Sequence, residues 1–314
     1  MSAVLEEPMT ATTENARTLA GRLSAGSVIR ANEPLGRRTT LRVGGPADLY
    51  AEPASEADLA AALTFANERQ LSVFVLGRGS NLLVRDGGFH GLVICLAQPH
   101  FTRILVNGGR LECGGGAKLR DVANEAMRQS LAGMEFFEGI PGSVGGALRM
   151  NAGAYGSEMF RVVESLRFMA YTGHAETVPV NQVEASYRSC PFFKTHIALG
   201  AVLRGQPGER AAIKQRMNEF SQKRWSSQPK APSAGCAFKN PATIPAGKLV
   251  QELGLKSTRV GGARVSLEHG NFIVTEPGAK AQDVLDLMAL IQERARTERG
   301  IELRTEVQII GEDV

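Results

Sequence analysis

The sequence predicts an α+β protein with more than one domain. Its 314 residues exceed the usual size of a single hydrophobic core, so two or three lobes are expected. Apolar residues make up 43% of the chain and charged residues 22%, which is ordinary for a folded protein and argues against long disorder. Segments with helical spacing alternate with runs of β-branched and aromatic residues, and this mixture predicts both helices and strands.

Local patterns predict the elements in order. Residues 12–29 have weak helical spacing, which Pro34 ends. Ser55 followed by Asp58 is typical of a helix start and predicts a helix that ends near Gln70. The remaining predictions are strands at 72–76, 92–96, 104–113, 162–171, 197–203 and 303–310, helices at 119–131, 209–225, 247–253 and 281–297, and a linker at 228–232.

Composition narrows the classes of function. The net charge is +4, but Lys and Arg alternate with acidic residues, so we expect a pocket for a phosphorylated small molecule and no nucleic-acid partner. No window holds the roughly 18 apolar residues that cross a bilayer. Glu6 and Glu7 stand where a secretory signal would be basic, so we expect a cytoplasmic protein without membrane contact. The cysteines lack the close pairs of a zinc site, so we expect reduced thiols and no metal; they are Cys95, Cys113, Cys190 and Cys236.

The first of two glycine-rich loops spans residues 77–88 and reads GRGSNLLVRDGG. It follows an apolar strand, and its small residues would let backbone N–H groups converge on phosphate oxygens. It is not a Rossmann fingerprint, because Leu82 stands where the third glycine of G-x-G-x-x-G would be and a strand follows. Alone, the loop is equally well explained as a turn between strands.

The second loop spans residues 139–156 and contains six glycines in eighteen residues. This density predicts repeated turns without a regular element. Two such loops could hold one extended ligand from two sides.

Six motifs then occur along the chain: GSNLLVRDGG, IPGSVGGALRMNAGAYG, YRSC, AGCAFKNP, HGNF and LRTEVQIIG. In this order they resemble the UDP-N-acetylenolpyruvoylglucosamine reductases over roughly residues 38–311. The resemblance implies an FAD-binding lobe of the vanillyl-alcohol-oxidase (PCMH) type and a C-terminal α+β substrate-binding domain. The implied divisions are an N-terminal extension at 1–37, an FAD-binding domain of two subdomains at 38–207, and the substrate-binding domain at 208–314.

The resemblance also implies ligands and a reaction. The family reduces UDP-N-acetylglucosamine enolpyruvate to UDP-N-acetylmuramate with NADPH through FAD, in peptidoglycan precursor synthesis. Some proteins of the wider fold bond flavin to a His in the first loop, where this chain has Asn81, so we expect noncovalent flavin. A monomer or weak dimer is expected. The implied FAD-binding residues are Gly77, Arg78, Gly79, Ser80, Asn81, Leu82, Gly139, Ile140, Pro141, Gly142, Ser143, Gly145, Gly146, Asn151, Ala152 and Gly153.

Three residues match the family's catalytic positions. Arg188 suits a carboxylate that gains charge, because its guanidinium donors are planar and paired. Glu306, expected on the last strand, would orient the enol or share a proton with it. Cys236 stands where the family usually has a Ser proton donor.

The thiol at position 236 is the chain's informative departure from the family. Cys is a far stronger acid than Ser, with an ordinary pKa of about 8.5, so proton donation should be easy. Cationic neighbours such as Arg188 or Lys239 would favour the thiolate, which cannot donate a proton. We therefore expect activity to fall as pH rises through the Cys236 pKa.

Further motif matches are expected to bind the nucleotide sugar, with Arg224 nearest the diphosphate. The spacing from Arg188 to Arg224 resembles the family form that lacks a Tyr-bearing loop over the substrate. Two alternatives stay open: an oxidase on the same FAD fold, and a noncatalytic paralogue, motivated only by the Cys at position 236. The expected substrate-binding residues are Tyr187, Arg224, Gln228, Asn240 and Asn271.

Overall fold

The helices of the computed structural model, which describes residues 10–314, lie close to the predicted segments. Ser55 Oγ accepts a hydrogen bond from the Asp58 amide at 3.1 Å, so the predicted helix start is confirmed. The first helix ends earlier than predicted, at Ala20, because residues from Val28 onward pair as a strand. The α-helices are α1 Ala11–Ala20, α2 Glu56–Glu68, α3 Pro99–Thr102, α4 Leu119–Arg128, α5 Val144–Met150, α6 Arg210–Ser227, α7 Ala246–Glu252 and α8 Ala281–Arg299.

Two predicted strands differ in the structure. Residues 104–113 were expected as one strand, but Gly108 and Gly109, with φ of 52° and 83°, close a turn between two antiparallel strands. Of residues 303–310, only the last three form a strand. The strands are β1 Val28–Pro34, β2 Pro46–Glu52, β3 Val73–Leu76, β4 Leu82–Val84, β5 Phe89–Cys95, β6 Ile104–Asn107, β7 Arg110–Gly114, β8 Leu131–Ala132, β9 Gly153–Ala154, β10 Ser157–Glu158, β11 Val163–Ala170, β12 Ala175–Pro179, β13 His196–Arg204, β14 Gln206–Pro207, β15 Ser233–Cys236, β16 Arg259–Val260, β17 Ala263–Val265, β18 Phe272–Thr275 and β19 Gln308–Ile310.

The second glycine-rich loop contains α5, so the expectation that residues 139–156 hold no regular element is wrong. Ser143 Oγ accepts from the Gly146 amide at 3.4 Å and begins the helix. Val144 and Leu148 are fully buried in the core. This burial offsets the low helix propensity of the glycines between them.

The first sheet has the order β1-β2-β5-β3, in which β1 is antiparallel to β2 and the other neighbours are parallel. Apolar side chains of α1 and α2, including Leu19 and Phe65, pack in the core beside this sheet. Leu35 is also buried, in a neighbouring cluster. The described part of the predicted extension at 1–37 is therefore packed against the first domain.

The second sheet is antiparallel, with the order β12-β11-β13-β7-β6. Its core includes Leu119 of α4 and Leu148 of α5. Ile213 and Met217 of α6 are buried in the same core. Core packing therefore groups α6 with this sheet, and the predicted domain boundary at residue 208 stays a prediction.

The C-terminal sheet is antiparallel, with the order β15-β18-β17-β16, and the helices α7 and α8 share its core. Two contacts tie this part to the first glycine-rich loop. Strand β19 pairs in parallel with β4, and the Asp86 carboxylate accepts from the amides of Ala281 and Gln282 at 2.9 and 3.0 Å. Asp86 therefore caps α8 from another domain.

The described residues contain no helix that is both long and apolar enough to span a bilayer. Within residues 10–314, no three His, Cys, Asp or Glu side chains are grouped as a metal site requires. Glu6 and Glu7, on which the expected lack of a secretory signal rests, lie outside the described residues.

Candidate active site

Two of the predicted catalytic side chains form an ion pair. Arg188 Nε donates to Glu306 Oε1 at 3.0 Å, and only 24% and 14% of the two side chains are exposed. Arg188 has a φ of 55°, which is uncommon for a residue other than glycine. A tight turn imposes this conformation, since the backbones of Ser186 and Ser189 exchange hydrogen bonds of 2.8 and 3.0 Å. Such strain is concentrated at functional positions.

The backbone of Glu306 is held from two sides. The prediction that this residue lies on a strand is wrong, since β19 begins only at Gln308. The Glu306 amide donates to the Ala237 carbonyl at 2.8 Å, and its own carbonyl accepts from Asn81 Nδ2 at 3.0 Å. These contacts join Glu306 to the Cys236 segment and to the first glycine-rich loop.

The Glu306 carboxyl group has an altered acidity. Burial raises its pKa, and this effect outweighs the opposing charges of Arg188 and Lys239. A carboxyl group with a raised pKa is better matched to proton exchange near neutral pH than an ordinary one.

Cys236 ends β15 beside this ion pair, and its thiol is strongly biased toward the protonated form. Burial and, to a smaller extent, the Glu306 carboxylate raise the pKa of Cys236 to about 12, although Arg188 opposes them. Arg188 favours the thiolate, as expected, but burial outweighs its charge and the thiol stays protonated. A loss of activity through ionisation of Cys236 is expected only near this pKa of about 12.

This protonation state predicts slow alkylation of Cys236. Iodoacetamide attacks through the thiolate, so wild-type Cys236 should react slowly at neutral pH. Glu306→Gln removes the negative charge that raises the Cys236 pKa, so more thiolate forms and alkylation becomes faster at the same pH. Mass spectrometry of the Cys236 peptide over time would measure both rates. Equal rates in the two proteins would show that Glu306 does not control this thiol.

A cavity of about 530 Å³ lies between the two glycine-rich loops. A volume of this size is typical of sites for small molecules and cofactors. The loops approach closely, because a Cβ atom on Gly77 would lie 3.0 Å from Ser143 Oγ and 4.0 Å from Gly146 Cα. The cavity wall has several basic side chains and no acidic one among the described residues, and the basic ones are Arg37, Arg38, Arg78, Arg149 and Lys194.

Only part of the predicted FAD-binding set lines this cavity. The members that do are Gly77, Arg78, Ser143, Gly145 and Gly146. The others lie outside the wall: Gly79, Ser80, Asn81, Leu82, Gly139, Ile140, Pro141, Gly142, Asn151, Ala152 and Gly153. Asn151 is 2% exposed, and its Nδ2 donates to the Ser186 carbonyl at 3.2 Å, so it supports the turn that carries Arg188.

Sequence reasoning missed several residues of the cavity. Arg37 and Arg38 precede the first motif. Arg37 was the last residue of the predicted extension, and Arg38 was the first residue of the predicted FAD-binding domain. Gly115 and Gly116 also line the cavity, and consecutive glycines are a signal visible in the sequence. The wall also includes Arg149, which the second motif contains but which was not expected to bind FAD. Other wall residues outside every motif include Tyr50, Cys95, Tyr171, Lys194 and His196.

Comparisons with known proteins agree with this arrangement. A family model described as "FAD binding domain" matches residues 47–178, and one described as "UDP-N-acetylenolpyruvoylglucosamine reductase, C-terminal domain" matches residues 228–310. The reductase of that name from Clostridium botulinum (strain Eklund 17B / Type B) is 39% identical over 302 residues, which cover 96% of this chain and 99% of the relative. The chain belongs to the UDP-N-acetylenolpyruvoylglucosamine reductase family. The relative from Clostridioides difficile (strain 630) is 40% identical over 91% of this chain and 94% of its own length.

A solved structure shows the same fold. The reductase from Thermus caldophilus superposes with a TM-score of 0.79 at 36% sequence identity, over 90% of this chain and 99% of the other. The predicted fold, an FAD-binding lobe followed by a C-terminal α+β domain, is therefore confirmed.

Two asparagines expected to bind substrate in this member of the family have their side chains engaged within the protein. Asn271 is 2% exposed and clamps Phe238, accepting from its amide at 2.9 Å and donating to its carbonyl at 2.7 Å. Asn240 Oδ1 accepts from the Ala246 amide at 3.0 Å and caps α7. Both side chains therefore support the Cys236 segment and α7, and their expected contact with the substrate stays a prediction.

The other expected substrate residues are better placed for a ligand. Tyr187 is 58% exposed, beside Arg188. Arg224 lies near the end of α6, and its Nε is buried without a hydrogen-bond partner among residues 10–314. Burial lowers the pKa of its guanidinium, so a bound anion would be a favourable partner. Gln228 caps the same helix through its backbone amide.

Proposed function

We propose that this chain reduces UDP-N-acetylglucosamine enolpyruvate to UDP-N-acetylmuramate, with NADPH as reductant and noncovalent FAD as cofactor. The observation that carries the proposal is the contact of Arg188 with Glu306 beside a protonated Cys236. Arg188 can stabilise negative charge and Cys236 can donate a proton, and the reduction of an enolpyruvyl ether requires both. The relatives reported above carry the name of this reductase activity.

The cavity residues fit FAD. Its glycines let backbone approach a ligand closely, and a Cβ at Gly77 would fill the gap to Ser143. Arg78 and Arg149 can neutralise a diphosphate, while the apolar strand β3 forms a wall suited to aromatic rings. Arg38 also lines the cavity but is already paired with Glu33 and Glu52. Asn81 cannot form the covalent flavin bond of a His, which supports noncovalent binding.

The residues of this chain supply electrostatics and a proton. When bound, the flavin takes electrons from NADPH and supplies a hydride to the terminal carbon of the enolpyruvyl group. Arg188 uses Nε for Glu306, so its two Nη groups stay available for the substrate carboxylate, where negative charge develops. Cys236 donates its proton to the neighbouring carbon, and Glu306 keeps both side chains in place.

The uridine diphosphate of the substrate would engage Arg224. Arg224→Ala is expected to raise the KM for the nucleotide sugar by about 10- to 100-fold, the loss of a charged hydrogen bond, with little change in kcat. Steady-state kinetics with varied nucleotide sugar would measure this. Lys223→Ala is the matched control, since Lys223 is the exposed preceding residue of α6. A KM that rises equally in both variants would argue for general helix disruption.

The activity test combines spectrum and turnover. The purified protein should show a flavin absorption spectrum, and acid precipitation should release the flavin into the supernatant. NADPH absorbance should fall only when UDP-N-acetylglucosamine enolpyruvate is present. Flavin-loaded protein without NADPH consumption would reject the reductase function and favour the noncatalytic paralogue, and oxygen consumption with an alcohol or sugar would favour the oxidase.

A further inference from the structure

We infer that Asn81, in the first glycine-rich loop, is a positioning residue that holds Glu306 against Arg188 and Cys236. The inference rests on the proposed reductase function for its kinetic part. It goes beyond the expected role of Asn81 in FAD binding, because the side chain lies outside the cavity wall and has another partner.

Asn81 contacts the Glu306 segment through both its side chain and its backbone. Its Nδ2 donates to the Glu306 carbonyl at 3.0 Å, and its own carbonyl accepts from the Gln308 amide at 3.1 Å. The next residues, β4, continue this contact by pairing in parallel with β19. Asn81 is thus the first contact in the pairing between the glycine-rich loop and the catalytic segment.

The remaining contacts of Glu306 approach from different directions. The Glu306 amide is bound by the Ala237 carbonyl at 2.8 Å, immediately after Cys236, and its carboxylate accepts from Arg188. The peptide is therefore held between the Cys236 segment and Asn81, while the side chain reaches Arg188. Loss of the Asn81 amide leaves the Ala237 contact intact, so the segment can shift without unfolding.

A small shift at this position is costly to catalysis. Catalytic groups need tight placement, and a displacement of about 1 Å can lower a rate by about 10²-fold. Asn81 sits three residues after Arg78 of the cavity wall, so one loop forms part of the cavity and also fixes the proton-handling group. This explains physically why an amide is useful at this place in the loop: its Nδ2 group donates to the Glu306 carbonyl, and also lies 2.9 Å from Met150 Sδ.

The test compares two amides that bind the same C-terminal segment. Asn81→Ala removes the contact to Glu306, and Gln292→Ala removes a hydrogen bond of 2.8 Å to the Leu303 carbonyl. In the holoenzyme, Asn81→Ala should lower kcat by about 10- to 100-fold with little change in substrate KM or in bound FAD. In the pH profile of Asn81→Ala, the pKa assigned to Glu306 should be higher than in wild type. Arg188 lowers this pKa, and in the variant the two side chains are no longer held close. Gln292→Ala should keep near-normal kcat and the wild-type pH profile.

Hydrogen exchange provides a readout that does not depend on turnover. Backbone amides at 306–308 should exchange faster in FAD-loaded Asn81→Ala than in wild type, and Gln292→Ala should leave those amides unchanged. Unchanged exchange at 306–308, unchanged kcat in an active enzyme, or equal loss in both variants would overturn the inference. Loss of FAD in Asn81→Ala would also overturn it and assign the amide to the cofactor. If wild type lacks reductase activity, the proposed function fails, and the exchange comparison still decides the position of Glu306.

Discussion

Cys236→Ala is expected to lower kcat by about 10²- to 10⁴-fold, because it removes the proposed general acid. The thiol is the group in the Arg188–Glu306 cluster whose pKa, about 12, keeps it protonated throughout ordinary assay conditions. Steady-state turnover of NADPH with the nucleotide sugar would measure the loss. Cys236→Ser should retain more activity than the alanine variant, since a hydroxyl can still donate a proton.

The control for this prediction is a cysteine away from the candidate active site. Cys113 is 1% exposed in the core of the second sheet, and its thiol donates to the Leu111 carbonyl at 3.7 Å. Cys113→Ala removes the same atom, so it should lower stability slightly and leave turnover per folded molecule unchanged. If folded Cys236→Ala turned over at the wild-type rate, Cys236 would be only a small buried side chain and not the acid.

Arg188→Ala is expected to lower kcat/KM for the nucleotide sugar by about 10²- to 10³-fold. Loss of a preorganised group that stabilises developing negative charge has an effect of about this size in enzymes. Arg188→Lys should recover only part of this loss, because an ammonium group cannot bind Glu306 and a substrate carboxylate with one planar fork. Without Arg188, the pKa of Glu306 should rise further, since this guanidinium is the largest influence that lowers it. The acid side of the pH profile should therefore move to higher pH.

An ion pair on the surface supplies the comparison for Arg188. Arg110 Nε lies 2.8 Å from Glu164 Oε1, and both side chains are more exposed than those of Arg188 and Glu306. Arg110→Ala should have almost no effect on catalysis, because exposed ion pairs contribute little. Reduction of the flavin by NADPH alone should stay close to normal in Arg188→Ala. A failure of that half-reaction would place Arg188 in cofactor binding instead of in substrate activation.

Much of the fold was predictable because its signals are local. The hydrogen bond of Ser55 to the Asp58 amide and the helical spacing of 281–297 appear in the structure close to where they were expected. The helix in the second glycine-rich loop was not predictable in this way. Its stability comes from burial of Val144 and Leu148 against residues distant in sequence, and this tertiary contribution exceeds the local preference of glycine for turns.

The candidate site was also only partly predictable from the sequence. The resemblance singled out Arg188, Cys236 and Glu306, and their catalytic roles stay a prediction. It gave no sign that the Asn271 amide hydrogen-bonds the Phe238 backbone. The motifs do not contain Lys194, a basic residue of the cavity wall, since a single lysine carries no local sign of its surroundings.

Local patterns alone predicted the glycine-rich loops and most helix boundaries, because caps, spacing and small residues act within a few positions of the chain. The expected site residues came from the resemblance of the motifs to the reductase family. The tertiary structure decided how these parts interact. Arg188 and Glu306 meet although 118 positions separate them, and Asn81 reaches Glu306 across 225 positions. Burial keeps the Cys236 thiol protonated against the nearby positive charge of Arg188. Solvent exclusion and long-range contacts exist only after the chain has folded, so local sequence patterns do not predict them.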